Sequence, residues 1–242
     1  MTDGWDSSAP GWIADMGERG DYTREFVLDP PMAERVRDRG FRDALDVGCG
    51  EGRFCRMLRG WDVRPVGIDP TEALIARARE RDPDGDYRIG RAETLASADA
   101  SFDLVVSYLT LIDIPDIAAA IGEMARVLRP GGSLLIANLT SFNTAGPPTG
   151  WIGTGEDRRF PIDHYLEERA QWVAWRGIRI LNRHRPLETY MRLLLSQGLL
   201  LRHFAEPAPR GGDPERAARY RRVPFFHIME WQKPDAAGSC DP

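Results

Sequence analysis

Lysine is almost missing from this sequence. Of its 32 basic residues only Lys233 is a lysine, and the arginines are dispersed rather than gathered into a run. With a formal net charge of −5, the chain lacks the concentrated basic footprint that holds nucleic acid, so no nucleic-acid partner is expected. Cysteine is scarce too: Cys49, Cys55 and Cys240 are odd in number and include no CxxC pair. That excludes a disulfide framework and a cysteine-ligated zinc site, and it fits a reduced, cytoplasmic protein. Apolar runs do not exceed strand length, and the opening "MTDGWDSSAPGW" has neither a basic nor an apolar signal region, so neither export nor membrane insertion is expected. There is no internal repeat.

Short apolar runs do alternate with amphipathic stretches between residues 41 and 139, the pattern of repeated βα units in a parallel sheet. Strands are expected at 42–47, 64–69, 86–90, 102–107 and 133–139, with helices at 52–60, 71–81 and 117–129, the last stopped by Pro130-Gly131-Gly132. Residues 140–163, rich in Gly, Pro, Thr and Asn, are too long for an ordinary connection and suggest a lid. A hairpin is expected within 171–185, a helix at 186–197, and two last strands at 199–207 and 224–231 joined by a polar loop at 208–223. The division that follows is an N-terminal helical arm (1–40), an α/β core (41–139), an inserted cap (140–185), and a segment completing the sheet (186–235).

The segment "LDVGCGEGRF" lies where the first strand meets the first helix, the usual ligand position in an open α/β sheet. Glycine there lets a ligand approach the main chain. A dinucleotide loop would read G-x-G-x-x-G and hold pyrophosphate. Here the third glycine, Gly52, comes one residue early, and Glu51 in the turn repels phosphate. An acidic loop suits a cationic ligand, and Asp69, at the end of the second strand, is placed to take both hydroxyls of a ribose.

These features resemble the class I S-adenosylmethionine (SAM)-dependent methyltransferases, whose first motif is an acidic residue followed by x-G-x-G-x-G. The resemblance covers about residues 41–139 well and 186–231 loosely. It implies a Rossmann-like, doubly wound seven-stranded sheet, mostly parallel with an antiparallel last strand, and SAM as cofactor. It also implies that Asp46, Gly48, Cys49 and Gly50 contact the methionine part, that Asp69 holds the ribose, and that Ile68 or Pro70 lies beside the adenine. In "GRAETL" Arg91 replaces the family's acidic residue, leaving Ala92 and Glu93 for the adenine edge. "FDLVVSYLTLID" puts Ser107, Tyr108 and Leu109 near SAM, although Tyr108 and Leu109 also read as core residues.

Transfer to a hydroxyl needs a base over the pocket. His184, His164 and Tyr165 are the candidates from the cap, with Asp113 as a further carboxylate that also reads as a helix cap; His203 and His227 read as structural. Phe142, Trp151, Phe160, Trp172 and Trp175, with Trp5, Trp12 and Tyr22 of the arm, would wall an apolar acceptor or form a second small core. No Asp and Asn cluster is spaced for a magnesium site, so no metal is expected; no N-P-P-Y or D-P-P-Y segment of DNA and protein amide methyltransferases occurs. The expected function is methyl transfer to an oxygen or nitrogen of a small molecule, possibly in secondary metabolism, by a monomer or homodimer. The alternatives are a peptide N-terminal N-methyltransferase, a non-catalytic SAM-binding protein, and an NAD(P)-linked oxidoreductase.

Overall fold

A computed structural model describes residues 3–147 and 150–235; Cys240 lies outside the described residues. The arm consists of α1 (Trp5–Met16), a π-helical turn (Arg24–Leu28) and α2 (Asp29–Glu34). Strand β1 (Asp43–Val47), helix α3 (Arg53–Arg59), β2 (Arg64–Asp69), α4 (Glu72–Arg81), β3 (Asp86–Ile89), β4 (Phe102–Tyr108), α5 (Ile117–Val127) and β5 (Leu128–Leu139) form the alternating core. Then follow α6 (Ser141–Ala145), a 3-10 turn (Gly155–Asp157), the hairpin β6 (Arg169–Trp175) and β7 (Ile178–His184), α7 (Leu187–Ser196), β8 (Leu200–Ala205), α8 (Pro214–Arg222) and β9 (Phe226–Gln232). No helix of the described residues is long and apolar enough to cross a membrane.

The main sheet runs β3-β2-β1-β4-β5-β9-β8, with β9 antiparallel to both neighbours. It is thus the seven-stranded, mostly parallel Rossmann-like sheet expected. Its central strands are apolar on both faces, as a sheet covered by helices on two sides requires. Leu45, Val105 and Ile136 pack with Ile121 and Met124 of α5 and Leu194 of α7. Ala44, Leu104 and Leu135 face the other way, against Met32 of α2 and Phe54 and Leu58 of α3. A two-residue period in the strands and a 3.6-residue period in the helices are enough to sort these side chains.

Two expectations are corrected. Leu128 to Gly132 belong to β5, which begins as soon as α5 ends and shifts register against β4 between Phe102 and Leu104. The segment 208–223 is not all loop: Asp213 accepts a hydrogen bond from Arg216 N at 2.7 Å and Pro214 occupies the first turn, starting α8. Only Ala217 of α8 is buried, so the sequence shows no apolar stripe to announce a helix.

The arm is fastened to the sheet through a buried carboxylate. Glu230 of β9, 2% exposed, accepts from Arg35 Nε (2.7 Å), Arg39 Nη2 (2.8 Å) and Ser133 Oγ (3.1 Å). Burial raises its pKa, but the hydrogen bonds from Arg39 and Arg35 outweigh burial and leave it lowered from 4.5. Its stabilisation is therefore present above pH 4.5 and lost as the pH falls below that value. Glu230→Ala strands two guanidinium groups and is expected to cost about 3 kcal/mol, roughly 10 °C in melting temperature. Thermal unfolding of the variant at neutral and acidic pH checks this, the difference from the unsubstituted protein shrinking in acid.

Candidate functional site

The turn after β1 is pinned to the end of β2. Gly48 N and Cys49 N both donate to the Ile68 carbonyl, at 2.8 and 2.9 Å. Gly50 N donates to Asp69 Oδ2 at 3.0 Å, and Thr71 N to Asp69 Oδ1 at 2.8 Å. Gly48 has φ of +76°, and a Cβ there would meet the Thr110 side chain at 2.2 Å, so both backbone and space demand glycine. Gly50, at φ +56°, leaves its face open to the indole nitrogen of Trp12, 3.8 Å from where a Cβ would stand.

This turn forms one wall of a cavity of about 470 Å³. Asp46, Gly48, Cys49, Gly50, Asp69 and Pro70 line it, as do Ala92, Glu93, Tyr108 and Leu109. Asp46 is 1% exposed; its Oδ2 accepts from the Cys55 thiol at 3.4 Å, while Oδ1 has no partner among the described residues. Burial pushes its pKa up to about 7. Burial likewise raises Asp69, against the backbone N–H groups of Thr71 and Gly50 that favour its charged form. A buried acidic turn with an unsatisfied carboxylate oxygen suits a cationic ligand, and the residues present therefore fit SAM.

The arm and the cap close the cavity. Arg24 lies over the Trp12 ring at 4.7 Å, and Tyr108 donates to Asp29 Oδ1 at 2.8 Å while its ring meets Phe54 edge-on. The inner face of the hairpin contributes Gln171, Val173 and Trp175 from β6 and Ile180 and Asn182 from β7. Asn182 donates from Nδ2 to Asp113 Oδ1 at 2.7 Å, and Asp113 also lines the cavity. Burial pushes Asp113 up to about 8, with the nearby charges of Asp3 and Asp69 adding to the rise and the Asn182 hydrogen bond opposing it. Asp113 does not cap α5; Asp116 does, accepting from Ala119 N.

Several residues singled out by the sequence stand elsewhere. Ser107 is fully buried and does not line the cavity, because alternation along β4 turns it away from the side that Tyr108 faces. Ile68 packs in the core, leaving Pro70 alone of that pair on the wall. His184, His164 and Tyr165 are all off the wall. The His184 ring is 1% exposed, contacts the Tyr165 carbonyl through Nε2 (2.8 Å) and Thr144 Oγ1 through Nδ1 (2.7 Å). Burial lowers its pKa, and with Nε2–H donating to the Tyr165 carbonyl, Nδ1 accepts from Thr144; one nitrogen joins the hairpin to α6 and the other to the segment before β6. His164 is exposed beside Glu167, and the Tyr165 hydroxyl accepts from Leu187 N.

Sequence reasoning missed Asn182 and Arg185. The Arg185 guanidinium is buried and donates to the carbonyls of Leu111 (3.1 Å), Ile114 (2.6 Å) and Pro115 (3.2 Å). It thereby holds the loop that carries Asp113. The alternating Ile178-Ile180-Asn182 pattern could have shown that Asn182 shares the inner face; nothing local points Arg185 at a loop 70 or more residues away.

Two outcomes follow from this geometry. A carboxyl whose folded pKa is raised stabilises fully below its unfolded value of 3.8 and loses that contribution as the pH rises to about 7. The ligand-free protein should therefore melt at lower temperature as the pH rises through this range, and Asp46→Asn should flatten the slope; an unchanged slope removes Asp46 as its source. Arg185→Met leaves three carbonyls without a donor and should cost about 3 kcal/mol in urea unfolding.

Residues 45–136 match a family model described as a methyltransferase domain. A probable SAM-dependent methyltransferase of Mycolicibacterium smegmatis is 40% identical over 116 residues, 48% of this chain and 44% of that protein. A malonyl-[acyl-carrier protein] O-methyltransferase of Serratia marcescens is 32% identical over 126 residues, 50% of this chain and 49% of that protein. The chain thus spans about half the length of these curated relatives. Among solved structures, a SAM-dependent methyltransferase of Mesorhizobium loti superposes with a TM-score of 0.74 at 27% identity, covering 89% of this chain and 100% of that one. With the sheet order, the pinned glycine turn and the buried acidic wall, these matches support a class I SAM-dependent methyltransferase.

Proposed function

We propose that the protein transfers the methyl group of SAM to an oxygen or nitrogen of a small molecule. The observation that carries this reading is a single cavity whose wall includes both the glycine turn with Asp69 and the inner face of the β6–β7 hairpin, so that cofactor and acceptor sites are continuous. On this reading residues 41–139 hold the cofactor, 1–40 and 140–185 close over it, and 186–235 complete the sheet. When bound, SAM supplies a methyl group on a positively charged sulfur leaving group, which needs no acid assistance.

The chain's own residues do the remaining work. Asp46 offers its unpartnered oxygen to the amino group of the methionine part. Asp69, already aligned by Gly50 and Thr71, keeps lone pairs for the ribose hydroxyls. Pro70 and the backbone at Ala92 border the adenine. Trp12, Trp151 and Phe160 on the wall exclude water and hold an acceptor in line, the largest contribution a protein makes to a displacement of this kind. The names of the relatives, an O-methyltransferase among them, support the reaction class, and the aromatic lining of the cavity supports a small apolar acceptor. Free, buried Cys49 and Cys55 suit a reducing compartment such as the cytoplasm.

Calorimetry with SAM and S-adenosylhomocysteine tests the cofactor, and a SAM-dependent mass-shift screen against a metabolite extract tests the acceptor. Asp69→Ala is expected to weaken SAM by about 2 kcal/mol, roughly thirtyfold; unchanged affinity removes Asp69 from the ribose role. Binding of NAD with no binding of SAM or S-adenosylhomocysteine would sink the reading.

A further inference from the structure

Charge on the cavity wall is unbalanced. Each arginine there is already paired: Arg24 with Asp21, Arg53 with Asp29, and Arg91 with Glu93. Glu51 is held by Arg56 and Arg81. Four other carboxylates on the wall have only neutral hydrogen-bond partners among the described residues. Asp3 accepts from Trp5 N, Asp46 from the Cys55 thiol, Asp69 from two backbone N–H groups, and Asp113 from the Asn182 carboxamide. Asp46 Oδ1, almost fully buried, has no partner at all, which by itself points to a cationic ligand in this cavity.

One SAM does not balance four carboxylates, because its two positive groups and one carboxylate leave it a single net positive charge. On the proposed function, on which the present inference rests, Asp46 and Asp69 serve that ligand, and Asp3 and Asp113 remain. Asp113 stands where the acceptor half of the cavity begins, fastened to β7 by Asn182. Trp5 lines the same cavity as Asp113, and its ring meets that of Trp12 edge-on at 5.2 Å. Carboxylate and indole together are what an ammonium group seeks, through charge and through the aromatic face. An anionic acceptor finds no unpaired arginine on the described wall, and a neutral alcohol leaves Asp113, once ionised, without a counter-charge.

We propose that the cavity accepts a small primary or secondary amine whose ammonium group is received by the Asp113 carboxylate beside Trp5, with Asn182 holding that carboxylate in position. In this pair an N–H bond of the ammonium breaks and an O–H bond forms on Asp113. The proton and the positive charge leave the nitrogen, whose electron pair becomes free to attack a methyl group. Asp113, pushed up to about 8 by burial and by Asp3 and Asp69, retains the proton well enough for this exchange and returns it to solvent when the cavity opens.

The test uses the full chain saturated with S-adenosylhomocysteine and isosteric pairs: 2-phenylethylamine against 2-phenylethanol, and tryptamine against tryptophol, with 3-phenylpropionate as an anion. Binding is read by calorimetry or ligand-observed NMR. Each amine is expected to bind about tenfold or more tighter than its alcohol, equivalent to about 1.4 kcal/mol. Asp113→Asn should abolish the preference and leave S-adenosylhomocysteine affinity unchanged. Should that variant not fold, the unsubstituted protein decides alone: with Asp3 and Asp69 facing Asp113, the preference should grow between about pH 6 and about pH 9 as Asp113 ionises. Equal or reversed preference, no binding by any member, a preference flat with pH, or one that survives in folded Asp113→Asn overturns the proposal. Failure of S-adenosylhomocysteine itself to bind is a separate result and brings down the cofactor reading along with this one.

Discussion

Four backbone N–H groups converge on the last two residues of β2. Gly48 and Cys49 donate to the Ile68 carbonyl, Gly50 and Thr71 to the Asp69 carboxylate. The bonds from Gly48, Cys49 and Gly50 tie the turn after β1 to the neighbouring strand, so the bare main chain at Gly48 and Gly50 is held at a fixed place over the sheet. Asp46 is left beneath it, buried, with one oxygen unsatisfied. A turn that satisfied its own N–H groups internally would not need Asp69 and would not bring two carboxylates to one cavity. Their raised pKa values show that the fold holds negative charge where burial disfavours it, a local cost that a cationic ligand offsets.

The other half of the cavity depends on different elements. The hairpin, absent from the alternating βα pattern, hydrogen-bonds to the loop after β4 through Arg183 N to the Ile112 carbonyl, Asn182 to Asp113, and Arg185 to three carbonyls. His184 joins the same hairpin to α6 through Thr144. An imidazole that looked like a base is thus part of the hairpin's support, while Asp113, held by Asn182 of the same strand, lines the cavity. The family match covers residues 45–136, whereas the hairpin lies beyond residue 168. The family match thus includes the glycine turn and Asp113 but not the hairpin.

Much of the fold was legible in the sequence. The strands around Leu45, Val105 and Ile136 are short apolar runs that a sheet covered on both faces requires, and α5 carries Ile117, Ile121 and Met124 at helical spacing. Helix α8 was not legible, since it buries only Ala217 and is defined instead by its cap. The glycine-turn wall of the cavity could be read because its residues sit at strand ends, where position along the chain almost decides position in space. Ser107 was misplaced by a single step of the strand's two-residue alternation.

By itself the sequence determined the alternating core, the glycine turn with its acidic neighbours, and hence a cationic adenosyl ligand rather than a pyrophosphate. Those features are local: each depends on the periodicity or the backbone freedom of a few consecutive residues. Only the tertiary structure decided that His184 is enclosed, that Arg185 grips a loop 70 or more residues away, and that Asp113 lines the cavity with no cation bonded to it among the described residues. Burial and charge compensation are properties of what surrounds a side chain, and for these three residues the surroundings come from segments far apart in the chain.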